Sequence, residues 1–285
     1  MTGDRHGWRK YLREDAMPLF WCAGCGNGVI LGALLRVFAK LDLDPRRMVA
    51  VTGIGCFGKA DDYIKTNAVH ATHGRALAVA TGVKLANPDL TVVALMGDGD
   101  CATIGGNHLI HAARRNVGVL AVVANNLNYG MTGGQFSATT PEGGISSTSP
   151  YGNPEAAFDL CALAEAAGAP FVARTTVYHV AQVQNLLEAA LRRPVFSLVE
   201  VLSSCPVHFG RHNNRPRPKD MMDLWRDVAL PVARFREMDP PQRAGKYPIG
   251  VLVDRERPDF CARYAEVRER ARAGGAGTRP APAER

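Results

Sequence analysis

The sequence contains no apolar run that could cross a bilayer. Its longest stretches, such as 117–124 (VGVLAVVA), fall far short of the ~20 residues a spanning helix needs. Residues 1–11 are polar and charged and show no apolar core of a secretory signal, so a cytoplasmic location and no membrane partner are expected. Aromatics make up only 7%, and no nucleic-acid-binding motif accompanies the net charge of +7, so nucleic acid is not an expected partner. There is no internal repeat. With 46% hydrophobic and 21% charged residues, the composition excludes disorder over most of the length. In a reducing compartment the seven cysteines are not expected to form disulfides, which leaves their thiols for metal, cluster or redox chemistry. The positive excess is partly local: Arg211, Arg215, Arg217 and Lys219 cluster, and residues 255–285 hold eight Arg against five acids. Such a run is a solvated surface or a docking face for an acidic partner protein.

Apolar runs of strand length at 48–52, 91–96, 117–124, 171–174 and 195–201 alternate with helical patterns at 28–41, 74–86, 104–115, 155–167 and 179–192. This alternation predicts an α/β fold, a doubly wound and mainly parallel sheet covered on both faces. The expected organisation is one α/β domain over 1–240, a C-terminal extension over 241–270 with an ordered stretch at 247–253, and a disordered tail over 271–285. The segment 126–154 is rich in Gly, Ser and Thr and has no period. A loop of that length in a compact domain is usually functional.

The strand predicted at 91–96 runs into Gly97-Asp98-Gly99-Asp100, with a helix soon after. Glycines admit a ligand close to the backbone, and a helix N-terminus attracts phosphate. The next strand ends in Asn125-Asn126, with Asn126 28 residues after Asp98, which fits one strand–helix–strand unit. Parallel neighbours lie ~4.8 Å apart, so Asp98 and Asn126 are expected to share one cation. Mg²⁺ prefers octahedral oxygen ligation completed by substrate phosphates. Asp98, the Asn126 amide oxygen, the Asn128 carbonyl and two diphosphate oxygens would nearly fill that shell.

Four cysteines fall near that site, three of them just beyond predicted strand ends or helix starts on the edge that carries Asp98. Cys22 and Cys25 form a C-x-x-C before the first helix, Cys56 follows the first strand and Cys205 follows the last. Four thiolates suit Zn²⁺ or an iron–sulfur cluster. Cys101, beside the Mg²⁺ turn, is the alternative to Cys205 as fourth ligand. Cys161 reads as core, and Cys261 has no assigned role. The stretch Gly53–Gly58 matches G-x-G-x-x-G, but no acid lies about 20 residues on and no strong helix opens at Gly58, so a dinucleotide site is not expected.

These motifs together resemble the thiamine diphosphate-binding beta subunit of the 2-oxoacid:ferredoxin oxidoreductases. The resemblance covers roughly residues 15–215 and rests on WCAGCGNG, GIGCFGKA, HATHGRALAVATGVKLANPDL, GDGDCATIGGNHLIHAARRN, NNLNYGMTGGQFSATTP, SPYGN and SCPVHFGR. In style it is closest to 2-oxoglutarate subunits. Cys22, Cys25, Cys56 and Cys205 match the cysteines that hold one 4Fe–4S cluster in that family, and Asp98, Asn126 and the Asn128 carbonyl match its Mg²⁺ ligands. Ile54, Gly55, Cys56, Phe57, His73, Gly97, Gly99, Asp100, Gly130 and Met131 match segments that contact thiamine diphosphate. Lys59 matches a lysine near the substrate. Ala23, Phe57 and Asn125 stand where Pro, Ser and Asp are frequent. None of these removes a ligand, though Phe57 could narrow the pocket.

The resemblance implies oxidative decarboxylation of a 2-oxoacid, 2-oxoglutarate first and pyruvate or another as alternatives, with coenzyme A, to an acyl-CoA, CO₂ and reduced ferredoxin. The carboxylate that activates thiamine comes from the alpha subunit in that family, so this chain alone is expected to be inactive. His73 is the histidine expected at the cofactor, while His70 and His111 read as structural. Non-oxidative decarboxylation, which needs no cluster, is the competing enzyme reading.

Overall fold

The computed structural model describes residues 7–273. Eight strands form one sheet: β1 (Met48–Thr52), β2 (Asn67–His70), β3 (Thr91–Gly97), β4 (Val119–Asn125), β5 (Phe171–Thr176), β6 (Ser197–Leu202), β7 (Ala229–Pro231) and β8 (Tyr247–Asp254). Their order is β2-β1-β3-β4-β6-β5-β8-β7, parallel throughout except where β8 runs antiparallel to β5. After β1 the chain steps outward to β2 and then returns to the other side of β1 as β3. That reversal opens a crevice at the carboxyl ends of β1 and β3, where open α/β sheets bind ligands.

Alternate strand residues feed two cores. Met48, Ala50, Val93, Leu95, Leu120, Val122 and Val199 face α1 (Asn27–Lys40), α5 (Val180–Leu191) and Trp225 of α6 (Pro218–Val228). Val49, Val51, Val92, Ala94, Val119 and Ala121 face α2 (Ala76–Ala86), α3 (Gly106–Arg115) and α4 (Leu160–Ala166). Burial on both faces is what makes the central strands continuously apolar. It also makes the expected doubly wound, mainly parallel fold the observed one.

The differences have local causes. α4 starts at Leu160, not 155, because the Asp159 side chain caps the Cys161 and Ala162 amides at 3.0 and 3.1 Å. The stretch before it is tied to the long loop by Asn153 and by the Phe158 N–H donating to the Ala138 carbonyl. β2 is a fully exposed edge strand of polar character, with no apolar run to announce it. α7 (Val232–Glu237) and α8 (Phe260–Arg272) were hidden by basic, polar composition; α8 buries only Cys261. Segment 247–254 is part of the sheet through β8, and α8 reaches into the expected tail, of which 274–285 lie outside the described residues. Among the described residues, no helix is long and apolar enough to cross a membrane.

Candidate active site

The carboxyl ends of β1, β3 and β4 bound a cleft of about 110 Å³ lined by Ile54, Gly55, Cys56, Phe57, His73, Gly97, Asp98, Gly99, Asp100, Asn126, Asn128, Tyr129, Gly130 and Met131. All the residues expected at the diphosphate and cation are therefore brought together. Two glycines are required by close approach. A Cβ at Gly53 would fall 1.8 Å from the Asp100 carboxylate, and one at Gly99 would fall 2.3 Å from the Tyr129 ring. Between β3 and α3 the chain makes one π-helical turn, Gly99–Ile104, which buries Asp100.

Asp98 is fully buried, and burial pushes its carboxyl up to about 6 although Ser137, Thr139 and the Asn126 N–H donate to it at 2.5, 2.7 and 3.3 Å. The Asn126 carboxamide lies 3.1 Å from Asp98 Oδ1, 2.7 Å from the Asn128 carbonyl and 3.2 Å from Asn128 Oδ1. With no cation its NH₂ faces those three oxygens and donates to them. With its oxygen turned inward, four oxygens converge at these spacings, close to the ~3.0 Å edge of an octahedron with Mg–O bonds of ~2.1 Å. The donor set fits a Mg²⁺ ion.

Asp100 Oδ1 accepts from the Gly74 N–H at 2.6 Å, the Ile54 N–H at 3.3 Å and His73 Nδ1 at 2.5 Å. Its Oδ2 is buried without a partner. His73 is thereby fixed at the cleft wall, edge-on to Tyr129 with ring centroids 5.8 Å apart. His70 is held instead by Thr52 and Asp61, outside the cleft. Lys59 lines neither this cleft nor the thiol cavity beside it: its Nζ is 2.6 Å from Asp62, which raises its pKa. Phe57 is buried in the core beneath the cleft, its ring 6.4 Å from Trp21.

That second cavity, of about 270 Å³, adjoins the first and is lined by Cys22, Cys25, Cys56, Cys205, Phe20, Trp21, Pro206 and His208. Cys56, Asn126, Gly130 and Met131 belong to both cavities and form the wall between them. Cys56 and Cys205 sulfurs lie 3.5 and 3.6 Å from where a Gly130 Cβ would sit. Asn128 donates its side-chain NH₂ to Cys205 Sγ at 3.8 Å. Burial and the neighbouring thiols push Cys25 up to about 12 and Cys56 up to about 11, so metal binding here must displace protons. Among the described residues, no three of these sulfurs lie within 4.8 Å of one another. A closed tetrahedral zinc site needs sulfurs about 3.8 Å apart, from Zn–S bonds of ~2.3 Å, closer than any three of these thiols stand; four thiols around one cavity are a donor set whose chemistry fits a 4Fe–4S cluster. Cys101 is buried in the core on the α2–α3 face and is absent from this cavity.

The sequence reading missed what supports the site. Asn125 donates to Glu200 at 2.7 Å and accepts from Thr139 at 3.2 Å. Glu200 also takes Arg174 Nε at 2.6 Å and the Cys161 thiol at 3.2 Å, and Arg174 reaches on to Asp159. An Asn at 125 can donate to Glu200, where a carboxylate would repel it. The run Ser137–Thr140 in an otherwise featureless loop was the one available signal for the Asp98 partners. Elsewhere, an open cleft of about 780 Å³ between residues 9–15 and 61–68 holds none of the motif residues.

Residues 53–201 match the thiamine pyrophosphate enzymes through their C-terminal TPP binding domain. The chain is 45% identical to 2-oxoglutarate synthase subunit KorB of Methanothermobacter marburgensis, covering 92% of each chain, and 44% identical to KorB of Archaeoglobus fulgidus, covering 93% and 95%. Among solved structures, the 2-oxoglutarate:ferredoxin oxidoreductase from Magnetococcus marinus with 2-oxoglutarate, coenzyme A and succinyl-CoA bound superposes with a TM-score of 0.84 at 32% identity, over 97% of this chain and 94% of that one. The chain therefore belongs to the 2-oxoacid:ferredoxin oxidoreductases, as a subunit of their thiamine diphosphate-binding beta type.

Proposed function

We propose that this chain, with an alpha subunit, converts 2-oxoglutarate and coenzyme A to succinyl-CoA, CO₂, one proton and two electrons, and that the electrons leave singly for ferredoxin. The observation that carries this reading is the shared wall: a cation-and-diphosphate cleft and a four-thiol cavity are separated only by Cys56, Asn126, Gly130 and Met131. When bound, thiamine diphosphate supplies the electron sink for decarboxylation and a 4Fe–4S cluster supplies single-electron transfer. Asp98, the Asn126 amide oxygen and the Asn128 carbonyl would hold Mg²⁺ against the diphosphate. The backbone at Ile54–Phe57, Gly97–Asp100 and Gly130–Met131 would seat the cofactor. Asp100 takes the His73 Nδ1, leaving Nε2 as the ring's free polar atom for the cofactor. Lys59 would serve the substrate side by exchanging Asp62 for a substrate carboxylate. Cys22, Cys25, Cys56 and Cys205 would ligate the cluster. The substrate identity is supported by the relatives named above; the two carboxylates that line the cleft, Asp98 and Asp100, are engaged at the cation position and with His73 and Gly74, which leaves the activating Glu to the alpha subunit.

The test is anaerobic co-expression with the neighbouring alpha subunit, followed by 2-oxoacid- and CoA-dependent reduction of a viologen dye. The expected result is a higher rate with 2-oxoglutarate than with pyruvate and about four iron and four sulfide per chain. Dye reduction with pyruvate only would move the substrate assignment. Decarboxylation with under one iron per chain would favour the non-oxidative reaction.

A further inference from the structure

We propose that the basic segment 211–219, together with the apolar lip at Phe20, is the docking face for a small acidic iron–sulfur protein that collects the electrons. The proposal rests on reading the four-thiol cavity as the cluster site and adds where its partner binds.

The segment is built into the rim of that cavity. It starts three residues after His208, which lines the wall, and ends where Pro218 packs under the Cys22–Cys25 turn. Gly24 in that turn has φ +80°, and a Cβ there would fall 2.2 Å from Pro218 Cγ. One stretch of chain thus connects the wall beside Cys205 to the turn that carries Cys22 and Cys25. Between those anchors it holds Arg211, Arg215, Arg217 and Lys219 and no acid. Arg217 and Lys219 pair with Asp220 and Asp223 of α6 at 2.7 and 2.5 Å. Arg211 is exposed, and neither it nor Arg215 pairs with a carboxylate among the described residues; the Arg215 guanidinium donates to the Asn213 carbonyl, at 3.4 Å.

The mouth between them is apolar and open. Cys22 is exposed, and Phe20, which lines the cavity, is 50% exposed. An exposed cysteine beside an apolar lip, with a basic segment on the same rim in which Arg211 and Arg215 lack a carboxylate partner, has the layout of a transient electron-transfer interface. The apolar lip allows close approach, and the charge speeds encounter with an acidic surface and fixes its orientation. Charge complementarity selects an acidic protein partner, since the cationic segment runs along the rim of the thiol cavity.

The experiment uses the anaerobically purified holoenzyme with its alpha subunit and an acidic two-cluster ferredoxin as probe. Arg211→Glu/Lys219→Glu is compared with wild type and with Arg114→Glu/Arg115→Glu, an equal charge change at the end of α3. The expected result is an increase of about tenfold or more in the KM for ferredoxin, a flatter dependence on salt and weaker direct binding by calorimetry. Viologen reduction and iron content should stay within twofold of wild type. The docking face is refuted if ferredoxin KM and binding move no more than in the control. It is also refuted if the alpha subunit dissociates on size exclusion, which would make the face a subunit interface, or if iron is lost. Absence of viologen reduction in the wild-type holoenzyme would overturn the functional reading itself, and the docking face with it.

Discussion

Replacing Asp98 by Asn should stabilise the cofactor-free chain while destroying its capacity to hold the cation. The carboxyl is fully buried and its pKa is pushed from 3.8 to about 6. A raised folded-state pKa means that the native fold binds the proton more tightly than the unfolded chain. This group's contribution is therefore most favourable below about pH 4 and becomes a penalty as pH rises through 6. At 1.36 kcal/mol per pKa unit, the penalty at pH 8 is about 3 kcal/mol, and at pH 5 about half that. An amide carries no charge to desolvate, and Ser137 and Thr139 can accept from it as well as donate. In chelator, Asp98→Asn is therefore expected to be up to about 3 kcal/mol more stable than wild type at pH 8 in urea unfolding. The gap should narrow toward pH 5. Comparing the two proteins cancels every other titrating group. Adding Mg²⁺ and thiamine diphosphate should reverse the order, since a charged carboxylate gains far more from a cation than a neutral amide does. A variant no more stable than wild type at pH 8, together with a gap that does not change with pH, would refute the account of the site as a strained anion awaiting its counter-ion.

Three further outcomes follow from the geometry. Glu200→Ala leaves the buried Arg174 with only the half-exposed Asp159 and should lower stability by about 3–5 kcal/mol, read by denaturant unfolding of the isolated chain; a loss under 1 kcal/mol would contradict it. Serine at Cys22, Cys25, Cys56 or Cys205 should each lower bound iron and sulfide in anaerobic preparations, whereas Cys101→Ser should leave both unchanged, because its thiol lies in the opposite core. Asn128→Ala keeps the backbone carbonyl but removes the N–H facing Cys205 Sγ at 3.8 Å. It should make the cluster harder to reduce by on the order of tens of millivolts, measured by redox titration with EPR detection, and an unchanged or higher potential would exclude that hydrogen bond.

Much of this was legible in the sequence, for reasons particular residues make plain. The strands β1, β3, β4 and β6 are buried on both sides and so read as unbroken apolar runs. The cation site was legible because Asp98 and Asn126 close neighbouring parallel strands, where a fixed spacing becomes a fixed distance. The Arg174–Glu200 pair was not. Each is a lone charge inside an apolar strand, and only the register that sets them opposite one another across β5 and β6 joins them. Lys59 sits among motif residues in sequence, yet a nearby carboxylate, Asp62, decides where its side chain goes. Helices α6 and α8 escaped because their exposed faces are crowded with charge and their buried faces are narrow.

Residues 126–131 serve two masters. A backbone carbonyl of this short stretch faces the cation position while an amide from the same residue touches a sulfur next door. Any redesign of cofactor affinity at this partition will therefore disturb electron energetics, and the reverse. Attempts to rewire the chain to a different electron carrier should leave the partition untouched and alter the basic rim.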